Sequence, residues 1–191
     1  MGENNENNRK EKSIKTEIIA WIKEIVISVI VALLITNFMF THIIVPTPSM
    51  APTIECNDHF MINKLPMYYR NPQRGEIVVF HGEEKELVKR VVGLPEEVID
   101  IKDGHVYING NKIEEDYLVE GIITKPAKPK YIDPGVDIKY PYTIPKGSYF
   151  VMGDNRENSK DSRYIGTIKR EKIYAIAKFR IWPLNSIGNI Y

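Results

Sequence analysis

Residues 76–92, EIVVFHGEEKELVKRVV, hold two short apolar runs, EIVVF (76–80) and ELVKRVV (86–92), and their reading decides the fold. Runs of this length, rich in valine and bounded by turn residues, read as β-strands. Strand alternation in the second run puts Leu87, Lys89 and Val91 on one face and Val88, Arg90 and Val92 on the other. The same kind of run recurs as FMI (60–62), VIDI (98–101), HVYI (105–108), SYFVM (148–152) and IYAIAKFRI (173–181). Within HVYINGNKI the Asn109-Gly110 pair between β-formers is the strongest short hairpin signal in the chain. Twelve prolines and eleven tyrosines suit strands and loops better than a helical bundle. Residues 41–191 are therefore expected to form one mainly β domain. Between Leu118 and Pro145 lies a stretch rich in Lys, Pro and Tyr that reads as an extended excursion separating two halves of that domain. The whole insertion is expected over about residues 99–147.

Upstream of the β domain the composition changes twice. Residues 1–17, MGENNENNRKEKSIKTE, are polar and mixed in charge, a composition that buries too little apolar surface to fold and predicts a flexible tail. The long apolar stretch IIAWIKEIVISVIVALLITNFMFTHIIV follows. From Trp21 to Phe40 there are 20 residues, which as a helix reach about 30 Å, the thickness of a bilayer core. Lys23 and Glu24 lie near its start, where long side chains can snorkel to headgroups beside an interfacial Trp21. A cleaved secretory signal would end in small residues, whereas this segment runs into FTHIIVPTPSM. The expected division is a tail over 1–20, a transmembrane helix over 21–40 and a catalytic domain over 41–191. Arg9, Lys10, Lys12 and Lys15 all precede the span. The positive-inside rule then predicts a single-pass protein of the cell membrane, with a cytoplasmic N-terminus and an extracytoplasmic domain.

Bulk numbers exclude several function classes. The net charge is +1, from 26 basic and 25 acidic residues, which gives no case for nucleic acid as a partner. The single cysteine, Cys56, cannot form an internal disulfide, and with four scattered histidines (42, 59, 81 and 105) it makes no zinc site, so neither metal nor cofactor is expected. Cys56 follows Ser49 closely enough to be weighed as a thiol nucleophile, but a small incidental thiol is the simpler reading.

The chemistry resides in three segments. In PTPSMAPTI, residues 46–54, prolines at 46, 48 and 52 deny helical conformation and fix an extended loop that carries Ser49. A serine nucleophile needs a base. His42 is seven residues from Ser49, too close in sequence for easy placement across a site, and the other histidines have no recognisable orienting carboxylate. Lys89, flanked on its own strand face by Leu87 and Val91, is placed to be desolvated, and burial favours the uncharged amine that can act as a base. The third segment, GDNRENSKDSR (153–163), is a dense polar run that reads either as a solvated loop or as a buried Arg–Asp network supporting a site.

Taken in order, the N-terminal span, PTPSMAPTI, RGEIVVF, VKRVVGLPEE and GDNRENSKDSR resemble the type I signal peptidases, over nearly everything from the span to about residue 181. The resemblance implies a coiled antiparallel β-sheet or partly open barrel preceded by one transmembrane helix. It also implies a membrane-anchored serine endopeptidase that removes signal peptides from exported preproteins, cutting after small residues of A-x-A type through an acyl-enzyme. On it, Ser49 matches the acylating serine and Lys89 the general base. Thr47 matches the position whose hydroxyl helps the Ser49 N–H bind the oxyanion, and Ser159 a serine that orients the lysine amine. Asp161 and Arg163 match a supporting ion pair, while Asp154 and Arg90 resemble further scaffold charges. Val45, Met50, Leu87 and Val88 are the candidates for the apolar substrate pockets, and the implied partners are signal peptides and the lipid bilayer.

Departures from the familiar pattern are Pro48 where glycine is common, Glu96-Glu97 in place of Gly-Asp, and Glu157 in place of Asp. Pro48 stiffens the loop. A membrane-tethered, non-catalytic peptide-binding domain would need the same span and strands, yet would have no use for the Ser, Lys and Asp/Arg constellation. A DNA-linked self-cleaving regulator would need DNA-binding helices and an Ala-Gly cleavage pair, and this chain has neither.

Overall fold

The computed structural model describes residues 3–83 and 85–190; the side chains of residues 3–13, 34, 35 and 37–40 lie outside that description. The chain divides into two units, residues 1–39 and 40–191. The first is one helix, α1 (Glu3–Met39). Helix therefore takes in the segment expected to be a flexible tail. Glu, Lys and Arg are good helix formers, and a helix nucleated in the apolar stretch propagates into such residues at small cost. Within residues 14–33 every side chain is exposed, Ile18, Trp21 and Ile25 among them. Among the described residues no helix is long and apolar enough to cross a membrane. The span expected over Trp21–Phe40 runs past residue 33 into positions whose side chains are mostly outside the description.

The second unit is mainly β, as expected, and antiparallel throughout. Its strands are β1 (Phe40–Ile44), β2 (His59–Asn63), β3 (Ile77–His81), β4 (Glu86–Gly93), β5 (Val98–Lys102), β6 (His105–Ile108), β7 (Asn111–Lys112), β8 (Tyr142–Thr143), β9 (Ser148–Met152), β10 (Ile168–Lys169), β11 (Ile173–Trp182) and β12 (Gly188–Asn189). Every apolar run picked out in the sequence falls on one of them. The larger sheet has the order β1-β2-β11-β3-β4-β9-β10, with β12 pairing β11, and it does not close into a barrel. The smaller sheet, β7-β6-β5-β8, occupies the expected insertion. Asn109 and Gly110 turn β6 into β7 with φ of 51° and 82°, the left-handed pair that a two-residue hairpin requires.

Three apolar clusters hold the strands. Val45, Met50, Ile54, Phe60, Ile62, Ile77 and Val79 pack with Ala175 and Ala177 under β2, β3 and β11. Val78, Phe80, Val91, Tyr149 and Val151 form a second cluster, against which Leu87 packs. Ile99, Val106, Ile144 and Phe150 join the smaller sheet to the larger. The β3–β4 pairing sets Val78 opposite Lys89 and Ile77 opposite Arg90, and the β4–β9 pairing sets Met152 opposite Arg90. The polar run 153–163 therefore leaves its strand level with the two basic residues of β4.

Candidate active site

Ser49 sits in a single 3₁₀ turn, Pro48–Met50, between β1 and β2. Pro48 supplies the fixed φ of the first turn residue, and the Ala51 N–H closes the turn on the Pro48 carbonyl at 3.1 Å. Met50, wholly buried in the first cluster, pins the turn to the core. Ser49 itself is buried, and its hydroxyl lies 3.3 Å from that of Thr47.

Across from it, the Lys89 amine lies 2.6 Å from Ser49 Oγ and donates to the Val88 carbonyl at 2.8 Å. Lys89 is only 2% exposed. Burial drives its pKa down from 10.5 to about 8, with Lys85 pushing the same way and the carboxylates of Asp161 and Asp154 pushing back. At pH 7 roughly a tenth of the molecules then hold a neutral amine, against well under a thousandth for a free lysine.

The run 153–163 is the buried Arg–Asp network, not a solvated loop. Arg90 Nε and Nη2 reach the two oxygens of Asp154 at 2.9 and 2.6 Å, and Arg90 Nη1 donates to the Gly75 carbonyl at 2.8 Å. Arg163 bonds both oxygens of Asp161 at 2.9 Å, and Asp161 also accepts from the Gly153 N–H at 3.0 Å. For Arg163 burial works against the charge, yet the bonds and field of Asp161 outweigh it and raise its pKa. Ser159 Oγ is buried and has no hydrogen-bond partner among the described residues, so it makes no bond to Lys89 here.

Some features escape a reading of the sequence. A Cβ built on Gly153 would stand 2.3 Å from both Ser159 Oγ and the Ser49 carbonyl oxygen, so only glycine allows the loop this close to the Ser49 turn. Asn155 donates from its backbone to the Ser49 carbonyl and from its side chain to the Pro48 carbonyl, each at 3.2 Å. Arg156, buried, reaches Glu115 and Thr124 of the insertion, and Arg163 reaches the Lys125 carbonyl. The insertion thus braces the polar loop.

The four residues expected to line substrate pockets do not share one surface. Val45 and Met50 are interior residues of the first cluster, and Val88 packs on that cluster from β4. Leu87 lies against the other cluster, because neighbours on a strand point to opposite faces. His42 and His59 bond each other at 3.0 Å, and His81 stacks on Tyr174. Cys56 is exposed, and among the described residues no group of three or more His, Cys, Asp or Glu could hold a metal ion.

The family model described as "Signal peptidase, peptidase S26" matches residues 18–182. Signal peptidase I S of Bacillus subtilis (strain 168) is 40% identical over 183 residues, covering 95% of this chain and 96% of that protein. Signal peptidase I of Leptolyngbya laminosa is 36% identical over 179 residues, covering 88% and 82%. A crystal structure of a signal peptidase I from Enterococcus faecalis V583 is 31% identical and covers 56% of this chain and 97% of that one, with a TM-score of 0.42. The chain belongs to the signal peptidase family, peptidase S26, and is a serine peptidase.

Proposed function

We propose that this chain is a membrane-anchored endopeptidase that cleaves N-terminal signal peptides from exported preproteins after small residues, with Ser49 as nucleophile and Lys89 as general base. The observation that carries the reading is the 2.6 Å approach of the Lys89 amine to Ser49 Oγ inside a buried site. When Lys89 is neutral, the Ser49 hydroxyl donates to its lone pair. Oγ attacks the scissile carbonyl as the proton passes to the amine, and the resulting ammonium protonates the leaving peptide nitrogen. An ester acyl-enzyme remains, and the regenerated amine takes a proton from water for its hydrolysis. The Ser49 N–H and the Thr47 hydroxyl serve as oxyanion donors, each worth about 3–4 kcal/mol. The paired charges of Asp161–Arg163 and Asp154–Arg90 hold the loop and strand together. The substrate docks as an extended strand beside the first residues of β4, with Val88 the wall nearest the base.

Anchoring rests on α1, whose apolar side chains over residues 14–33 are exposed and would be covered by lipid. An anchored catalytic domain meets a signal peptide whose apolar segment occupies the same bilayer. The test is incubation of the purified chain with a preprotein carrying an A-x-A site. Cleavage after that site is expected from the parent chain and none from Ser49→Ala or Lys89→Met. Substantial cleavage by Lys89→Met, together with loss of cleavage on substituting one of the histidines, would refute the Ser/Lys assignment.

A further inference from the structure

Asn155 holds both carbonyls that flank the Ser49 Cα. Its side-chain amide donates to the Pro48 oxygen and its backbone N–H to the Ser49 oxygen, each at 3.2 Å. The Pro48 carbonyl and the Ser49 N–H belong to one planar peptide unit, in which they point in opposite directions. Fixing the carbonyl therefore fixes the direction of the N–H. Among the described residues that N–H has no acceptor, although Ser49 is buried, so it is a donor left free in the site. A hydrogen bond accepted by a peptide carbonyl also polarises the unit and strengthens donation from its own N–H. The Pro48 oxygen accepts two such bonds, from Asn155 Nδ2 and from the Ala51 N–H.

We infer that Asn155 is a positioning residue for the oxyanion site: through the Pro48 carbonyl it aims and strengthens the Ser49 N–H at the developing alkoxide. The inference rests on the reading of Ser49 as nucleophile. Asn155 touches neither Lys89 nor the Asp161–Arg163 pair, so its influence falls on the stabilisation of the transition state and leaves the titration of the base alone. Asn155 Oδ1 has a separate role, accepting the Asn158 N–H at 3.2 Å within the loop.

That division of labour makes the test decisive. Asn155→Asp keeps the shape and the acceptor for Asn158 but removes the donor to Pro48, whereas Asn155→Ala removes both. The full chain is assayed in detergent on a peptide with an A-x-A site, with kcat and KM taken across pH and compared on the alkaline plateau, where protonation of Lys89 no longer limits the rate. Both variants are expected to lose roughly tenfold in kcat with KM within about twofold, less than the ~10²–10³-fold that follows loss of an oxyanion donor itself. The pH midpoint of Asn155→Ala and the thermal midpoints of both variants stay near those of the parent. Parent-like kcat in Asn155→Asp would overturn the inference, as would a loss confined to KM or a displaced pH midpoint in Asn155→Ala. Ser49→Ala and Lys89→Met run alongside: if they retained activity, the underlying reading would fail, whereas inactive controls beside a fully active Asn155→Asp would remove only this inference.

Discussion

Replacing Lys89 by Met should destroy activity and yet make the domain harder to unfold at neutral pH. Lys89 is 2% exposed, and burial takes its pKa from 10.5 to about 8. At about 1.36 kcal/mol per tenfold change, that fall is a penalty of roughly 3 kcal/mol for holding an ammonium out of water. Met has a similar unbranched shape and no charge, so the penalty disappears. Against this stand the bonds to Ser49 Oγ and the Val88 carbonyl, each worth about 1 kcal/mol. The net gain is about 1–2 kcal/mol, or some 2–8 °C in the melting midpoint of a domain this size.

The pH dependence of that gain is the sharper test. Below pH 8 the lysine is charged in both the folded and the unfolded chain, so the parent carries the whole penalty. Between about 8 and 10.5 the folded state sheds its proton first and the penalty fades; above that the amine is neutral in both states and none remains. Near-UV circular dichroism melts of parent and Lys89→Met at pH 7, 8.5 and 10.5 should show an advantage that is largest at pH 7 and reversed at the top, where only the loss of the two hydrogen bonds remains. A variant that melts below the parent at pH 7, or a difference that ignores pH, would refute the argument that burial lowers the pKa of this amine.

Gly153→Ala should cut kcat about 100-fold or more, because a Cβ 2.3 Å from Ser159 Oγ and the Ser49 carbonyl must push the Ser49 turn away; steady-state kinetics on a peptide substrate check it. Asp154→Asn should lower stability to urea by about 3–5 kcal/mol, since the Arg90 charge stays buried without its carboxylate. Arg163→Gln should move the rising limb of the pH–rate profile above its expected position near 8, because Asp161, which already pushes the Lys89 pKa upward, loses the cation that offsets it; a limb that stays in place would contradict this.

Local patterns were legible because each is written in a few adjacent residues. β2 to β6, β9 and β11 were visible from their apolar content, and the β6–β7 turn from Asn109-Gly110; the two-residue strands β7, β8, β10 and β12 are too short to carry a pattern. The same signal stands at Asp103-Gly104, with φ of 51° and 80° joining β5 to β6, and could have been read just as directly. Alternation along β4 anticipated the burial of Lys89, and it sets Leu87 and Val88 on opposite faces of the strand. What could not be read is pairing at a distance. Nothing near Arg156 names Glu115 as its partner 41 residues away, and nothing in PTPSMAPTI says that Asn155 will grip two of its carbonyls. Such contacts depend on strand order, here β11 inserted between β2 and β3, which sequence spacing does not encode.

The two ion pairs beside Lys89 follow from one requirement. Asp161 accepts from the Gly153 N–H, the Arg163 N–H, Arg163 Nε and Arg163 Nη2, between 2.9 and 3.2 Å. A carboxylate has about four acceptor positions and a neutral amide oxygen about two, so only a carboxylate can hold Gly153 against the Ser49 turn and anchor the next turn of chain at once. An uncompensated carboxylate there would draw a proton onto the amine and, on the proposed reading, silence the base. Arg163 removes most of that field at its source, since the field of a close pair falls off faster than that of a single charge, and Arg90 does the same for Asp154. Burial then outweighs what remains, and the pKa of the amine settles near 8. The site is thus rigid because it holds buried charges, and basic because each carboxylate beside the amine has its own arginine.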